Sequence, residues 1–520
     1  MEHLTVSPTS DHLRVSACAP LPALPQAQSH FSQPGETGWH RTPLADALLT
    51  LAHKDVTSFH ALPLSHGDSL GNSSVRERYT ALFGAAHLAC DVSYSGAMLD
   101  SYFRPRGPLL QAQRLAAQAF RADHTYLLSG GTSTANRVAL GALASPGDRV
   151  LADRSCHQSV HFTLPTLGVD VDYAPVRGCC EHCPREFADL PRLLQMYAQS
   201  HQEGRPYRTV VLSAVSYDGI RYNLPAVLGA IAKIGSDVRV VIDEAWGAAH
   251  NFHPALRPLT ALEAFHGLRR SQAAGHMQIA VTHSAHKSLS ALRQGSYLHL
   301  IGTPALQERV EQELFQQHTT SPSWPILASL DLARAQALTE GEQLVQRSID
   351  FAQAIRTEIE TDPELSSYEI LGSDRELLDR LLVDDDPVRI MVSVKNLGIS
   401  ASELRRKLFE EHGLYIAREC GEAVLLHIHI GVDETAVHRL LEALRTIQKS
   451  QQAAPGLPED TSDHFIIAYP PGIPIAVPGE PLNAERRQEI AHLRAEGSEI
   501  YTLHGRRVYN RDQSQSCDQG

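Results

Sequence analysis

The chain has 520 residues, 42% hydrophobic and 20% charged, with 34 glycines and 30 prolines; that composition belongs to a globular protein and excludes a disordered or fibrous one. Its 46 basic and 59 acidic residues leave a net charge of −13, which argues against a sequence-independent nucleic-acid binder and is compatible with a cationic substrate. No apolar run approaches the ~18 residues of a membrane span, and eight cysteines are too few for a disulfide scaffold, so a cytoplasmic protein with reduced thiols and no membrane or nucleic-acid partner is expected.

In chain order, residues 1–40 hold Glu2, His3 and Asp11 early, no lysine, and a Pro/Ser/Gln-rich stretch from Pro20 to Pro34. They lack the apolar centre of an export signal and read as an irregular leader or an arm ordered by a partner subunit. Thr42-Pro43 opens a capped helix, and 108–121 has helical composition. Short runs rich in β-branched residues follow: Thr125–Leu128, Arg149–Ala152, Val169–Tyr173, Thr209–Ala214, Val238–Ile242, Met277–Val281 and Tyr297–Ile301. Helical segments at 133–144, 187–200, 224–234 and 256–270 lie between most of them. The alternation predicts an α/β fold, a mostly parallel seven-stranded sheet sandwiched by helices. A long helix over 325–360 then leads to strand-like Arg389–Val394 and Ala423–Ile430 alternating with helical 402–412 and 433–449. The expected layout is a leader (1–40), a large domain (41–340) and a smaller α+β C-terminal domain (341–520) holding the Pro-rich run YPPGIPIAVPGE at 469–480.

Ligands of open α/β sheets sit beyond the carboxyl ends of the strands. Three features fall there. Ser129-Gly130-Gly131-Thr132-Ser133-Thr134 joins a strand to a helix, and its glycines, hydroxyls and helix-terminal amides suit a phosphate, although it is neither a P-loop nor GxGxxG. Asp243 ends the run VRVVID. Ser284-Ala285-His286-Lys287-Ser288 follows the strand MQIAVTH. Singly, each has an ordinary reading as a loop, a helix cap or a surface charge. Their order, with Asp243 about 110 residues after the loop and Lys287 about 44 later, suits pyridoxal 5′-phosphate (PLP): an anion cradle, a carboxylate to keep the pyridinium protonated, and an amine for the Schiff base. His157, at the next strand end after the loop, is placed to lie against the ring.

The segments LSGGTSTAN (128–136), DRSCHQSV (153–160), SYDGIRYNL (216–224), VIDEAWGAAHNFHP (241–254) and THSAHKSLSALRQGSYLH (282–299) resemble the ornithine/lysine/arginine decarboxylases of PLP fold type I, the aspartate-aminotransferase fold. TTSPSW (319–324) and YPPGIPIAVPGE also match. The resemblance runs from about Thr42 to about Ile500. It implies that Lys287 forms the internal aldimine, Asp243 pairs with the pyridinium nitrogen, His157 stacks on the ring and Ala245 packs on its other face. It places Ser129, Gly131, Thr132, Ser133, Ser284 and His286 at phosphate-binding and Lys-flanking positions, Trp246 beside the ring, and Ser216 and Tyr217 on the substrate side. Thr320 and Ser321 match a segment that approaches the neighbouring subunit's cofactor, which implies a homodimer or higher homo-oligomer with shared active sites. The implied reaction is loss of CO₂ from a basic amino acid through an external aldimine and a quinonoid carbanion, with His286 or Lys287 returning the proton. Glu419, in YIAREC, is the candidate acid for the substrate's distal cation.

Some segments depart from the family pattern. The chain resembles a compact form without the N-terminal wing domain of larger members. FHALPLSHG (59–67) stands where the family has F-H-x-P-G-H-x-x-G, SYSGAMLDSYFRPRGPL (93–109) differs, and Ala249 replaces a common His. These bear on the entrance, so an aminotransferase, oxidative or aldol-type PLP reaction stays open as an alternative, as does a non-catalytic PLP-fold interaction protein. Cys179, Cys180 and Cys183 with His182 lack the paired spacing of a zinc site and read as loop cysteines, so no metal is expected. His427 and His429 share a strand face and read as partly buried, hydrogen-bonded histidines.

Overall fold

Every one of the seven expected strands joins a single sheet in the computed structural model, which describes residues 38, 40–178, 185–372, 375–453, 462–469, 473–482, 484–495, 499–504 and 507–510. The leader up to Thr37, Cys179, Cys180 and Cys183, and Pro470 to Gly472 lie outside the described residues. The strands are β1 (His124–Leu128), β2 (Arg149–Asp153), β3 (Asp170–Ala174), β4 (Thr209–Ser213), β5 (Arg239–Asp243), β6 (Gln278–His283) and β7 (Ser296–Ile301). Their order is β1-β7-β6-β5-β4-β2-β3. The run β3-β2-β4-β5-β6 is parallel, and β7 is antiparallel to both β6 and β1. All of β4 and all but the first residue of β5 and β6 are buried, as expected for strands covered on both faces. The register sets Asp243 opposite Ser213 on one side and Thr282 on the other, so three strands end level.

Two helices start three or more residues later than the sequence reading, each for a local reason. Phe187 and Ala188 pair with Val176–Arg177 in a short antiparallel ladder, so that helix begins at Leu190, capped by Asp189, whose carboxylate accepts the Arg192 N–H at 3.0 Å. Pro258 sits in a single 3₁₀ turn, Arg257–Leu259, and the following helix begins at Ala261. Strand β6 extends two residues beyond the expected Val281 because His283 still pairs with Tyr297.

The chain divides into two compact units, Met1–Asp362 with Tyr368–Leu440, and Pro363–Ser367 with Leu441–Gly520. The first holds the large sheet and a smaller antiparallel one: β8 (Glu369–Ile370), β9 (Arg389–Ser393), β10 (Arg418–Cys420) and β11 (Ala423–His427), in the order β8-β9-β11-β10. The second holds a four-stranded sheet from Phe465 to Asn510 around Ile466, Ala468, Ala476 and Ile500. Its Pro474 sits on the edge strand Ile473–Ala476, the place in a sheet where proline is tolerated. Among the described residues no helix is long and apolar enough to cross a membrane.

Just before β9, Asp386 is 1% exposed, with His250 Nε2 at 3.5 Å and Arg389 Nε at 3.8 Å from its Oδ2. Burial alone would raise its pKa, but His250, Arg389 and Arg221 outweigh it and hold the carboxyl well below the usual range. A carboxylate lowered this way stabilises the fold above its unfolded value of 3.8 and loses that contribution as pH falls through the folded one. Asp386→Asn should therefore cost about 3 kcal/mol at neutral pH, since it strands buried cations. Denaturant titration should show the gap from wild type narrowing below about pH 4.

Candidate active site

At the carboxyl ends of the parallel strands lies an open cleft of about 1260 Å³. Strand β1 hands over to helix α1 (Gly131–Leu143) through the Ser129–Gly131 turn. Gly131 has φ +72° and donates its N–H to Gln294 O at 2.9 Å, while a Cβ on Gly130 would lie 2.6 Å from Thr134 Oγ1. The two glycines thus have separate reasons, a left-handed backbone and a close approach. The turn sets Gly130, Gly131, Thr132 and Ser133 in the cleft wall, and Thr132 Oγ1 is hydrogen-bonded to Ser284 Oγ, which lines the same cleft. Glycines, hydroxyls and a helix start in this arrangement could hold an anion. Ser129 is not part of the cleft wall; it is buried, with its N–H donated to His318 Nε2 at 3.2 Å.

Asp243, 6% exposed, lines the cleft at the end of β5. Its Oδ1 accepts the Ala245 N–H at 3.0 Å, and its Oδ2 accepts from Asn136 Nδ2 at 2.8 Å. Asn136 is oriented in turn by Thr282, which donates to its Oδ1 at 2.7 Å. The Asn136 amide also donates to Ser159 Oγ at 3.0 Å, and Ser159 Oγ lies 2.9 Å from His157 Nδ1. Because the Ser159 N–H also points at that nitrogen, at 3.2 Å, Nδ1 accepts and the neutral ring carries its proton on Nε2. Burial lowers the His157 pKa; Asp243 opposes the shift, and Lys287 and His161 add to it. The neutral imidazole is therefore the favoured form. Asn136 and Ser159 were missed in the sequence. Both lie inside recognised segments, but only the fold brings them under the carboxylate.

Lys287 follows β6 on one helical turn, Ala285–Ser288. Its Nζ lies 4.1 Å from the Trp246 ring centroid, and the buried Arg389 guanidinium lies 4.5 Å from the same ring. Burial lowers the Lys287 pKa, Asp243 opposes, and Arg389 lowers it further. The result is an amine nearer to its nucleophilic form. His286 donates Nδ1–H to Gly295 O at 3.0 Å, and burial lowers its pKa as well.

Ala245, Trp246, Ser216 and Tyr217 line the same cleft. Arg389 Nη1 holds the 216–217 loop by donating to Ser216 O at 2.8 Å and to Tyr217 O. Glu419 does not line the cleft. It pairs with Arg405 at 3.5 Å with 40% of its side chain exposed, while its strand neighbour Arg418 faces the cleft and pairs with Asp218 at 3.1 Å. Side chains alternate along a strand, so the choice between 418 and 419 is a one-residue matter of phase. Among the described residues, Asp218, 8% exposed, and Glu186 are the acids that line the cleft beyond Asp243. Thr320 and Ser321 are exposed in the single chain and do not line the cleft. His427 packs edge-on to Trp246 at 5.9 Å, and His429 Nδ1 accepts the Gly431 N–H. No group of three or more metal-ligating side chains occurs among the described residues.

This geometry agrees with what comparison with known proteins shows. Residues 42–379 match the family model described as Orn/Lys/Arg decarboxylase, major domain. The chain belongs to that family. It is 28% identical over 510 residues to the arginine decarboxylase of Bacillus subtilis, covering 90% of this chain and 98% of that one. It is also 28% identical over 446 residues to the constitutive lysine decarboxylase of Escherichia coli, covering 78% of this chain and 60% of the relative. Among solved structures, the lysine decarboxylase LdcF of Francisella novicida superposes with a TM-score of 0.68 at 20% identity, over 90% of this chain and 78% of that one. The chain is thus a PLP-dependent decarboxylase of fold type I, a lyase acting on amino acids. The decarboxylase's own residues fit the cofactor: a phosphate cradle, a buried carboxylate and a lysine of lowered pKa converge on one cleft.

Proposed function

We propose that the protein decarboxylates arginine, lysine or ornithine to the corresponding amine, with Lys287, Asp243 and His157 as its catalytic centre. The observation that carries the reading is the convergence of Lys287, Asp243 and the Gly131–Ser133 cradle on a cleft whose outer wall adds Asp218 and Glu186. PLP, when bound, supplies an electron sink for the pair left at Cα as CO₂ departs. The chain supplies the rest. The α1 amides with Thr132, Ser133 and Ser284 hold the phosphate. Asp243, fixed by Asn136 and Ala245, accepts a ring N–H and keeps it in place. His157 and Ala245 would bracket the ring, and the Lys287 amine would hold the cofactor and release it to the incoming substrate amine. The proton returned to Cα comes from Lys287, or from His286 once its Nε2 has taken one up, since the Nδ1–H of the neutral ring is committed to Gly295 O.

The substrate's side-chain cation is read on the Asp218 side of the cleft, where Arg418 is the resident counter-ion. Asp218→Asn should raise KM for the preferred amino acid roughly tenfold, and Glu419→Gln should leave it within about twofold. The reverse pattern would return the role to Glu419. We also propose a homodimer or larger homo-oligomer, in which the exposed Thr320 and Ser321 reach a neighbour's cofactor, and a cytoplasmic location. The decisive experiment is a panel of amino acids with mass detection of products. Amine and CO₂ support the reading; keto acid, ammonia or peroxide as the main product would replace decarboxylation with another PLP reaction.

A further inference from the structure

Behind the catalytic strand ends, on the sheet face opposite Asn136, four polar side chains form an unbroken line across β1, β7, β6 and the end of β5. Thr125 Oγ1 lies 2.8 Å from His299 Nδ1, His299 Nε2 lies 3.0 Å from His283 Nδ1, and His283 Nε2 lies 2.9 Å from Glu244 Oε2. Both imidazoles are fully buried, Glu244 is 1% and Thr125 3% exposed. The surroundings are apolar: Phe120 packs on both rings, at 5.3 and 4.5 Å, and Tyr297 lies 5.6 Å from His299. On the long helix, the mutually paired Asp331 and Arg334 act on Tyr297. Glu244 also accepts the Ala261 N–H through Oε1 at 3.2 Å.

A buried line of this kind is stable only if every donor meets an acceptor. Glu244 as a carboxylate accepts from His283 Nε2–H; that leaves His283 Nδ1 to accept from His299 Nε2–H, and His299 Nδ1 to accept the Thr125 hydroxyl proton. One proton order satisfies all four groups, with both rings neutral and Nε2-protonated. Burial, with His283 alongside, pushes His299 away from its charged form, in agreement with that order.

We propose that Thr125, His299, His283 and Glu244 are positioning residues for the reaction: a proton-ordered relay that fixes the ends of β5 and β6, and with them the spacing of Asp243 and Lys287. His283 directly precedes the Ser284–Lys287 turn and Glu244 directly follows Asp243, so the His283–Glu244 bond ties the two functional strand ends from behind. The proposal rests on the roles assigned above to Asp243 and Lys287, whereas the relay itself is testable without them.

The test uses the holoenzyme with ¹⁵N-labelled histidine. Two downfield N–H signals should be assigned to Nε2 of His283 and His299, and that of His299 should be unchanged over roughly pH 6 to 9. A proton on Nδ1 of either ring, or His299 titrating as an ordinary histidine, would overturn the relay. In the second arm, His283→Leu should lower kcat roughly tenfold with KM within about twofold, and shift the pH at which the visible cofactor band titrates. His283→Gln, whose amide can accept from His299 and donate to Glu244, should restore most of both. Wild-type kcat and band titration in His283→Leu, or no rescue by Gln, would overturn the positioning role. Should His283→Leu not fold, Thr125→Val removes only the far end of the line; it should shift the His299 signal, and an unmoved signal counts against the relay. If no amino acid is turned over while the NMR pattern holds, the substrate reading fails and the relay stands.

Discussion

Lys287→Ala should yield a folded protein that turns over no amino acid, with kcat/KM reduced by at least about 10³-fold, equivalent to roughly 4 kcal/mol of transition-state stabilisation. Lys287 is the one lysine among the described residues lining the cleft, so no neighbouring amine there is placed to substitute. Borohydride treatment of the wild-type holoenzyme should add the reduced cofactor to the peptide containing Lys287, and the variant should show no such mass. Folding should survive for an electrostatic reason. Burial and Arg389 lower the Lys287 pKa from 10.5, so the charged side chain is held against the preference of its site. A base whose folded pKa is depressed destabilises the native state below that pKa, and the penalty disappears above the unfolded value. Removing the amine removes the penalty, and thermal unfolding at neutral pH should show a midpoint no lower than wild type by more than a few degrees. Turnover that survives the substitution unchanged would overturn the central assignment.

Much of this site was legible because its parts are local. The Ser129–Thr134 turn, VRVVID and the run to Lys287 each end a strand, and a parallel sheet aligns strand ends without further information. Asp243 pairing in register with Thr282 and Ser213 follows from that alignment. What the chain order did not reveal depends on side-chain direction across elements. Asn136 and Ser159 matter because helix α1 lies over β5, and Glu419 yields to Arg418 because β10 has one phase and not the other. His283 lies inside the segment 282–299 without a role of its own in the sequence reading. Its partners are Glu244, 39 residues away, and His299, 16 residues away, and no local spacing links the three. The antiparallel insertion of β7 between β1 and β6 is what brings Thr125 and His299 into line.

Asp243→Asn should be the second most damaging change, lowering kcat by about 10²–10³-fold with a much smaller effect on amino-acid KM. The substitution preserves shape: the introduced amide oxygen can still accept from Asn136 or from the Ala245 N–H, so the loop and the cradle stay in place. What is lost is charge. A neutral amide cannot balance a protonated ring nitrogen, and the cofactor would withdraw electrons less strongly at the moment Cα carries the pair. Asp243→Glu keeps the charge but pushes it about one methylene into a position where Asn136, at 2.8 Å, already fixes the carboxylate, so a smaller loss is expected from misplacement alone. Asn136→Ala separates the two contributions, because it leaves the charge and removes the hydrogen bond that aims it. If charge is the dominant factor, the order of kcat should be wild type, Asn136→Ala, Asp243→Glu, Asp243→Asn, with the visible cofactor band of Asp243→Asn displaced furthest. Equal losses in Asp243→Glu and Asp243→Asn would instead make geometry the controlling variable, and Asn136 would then be as necessary to the reaction as the carboxylate it holds.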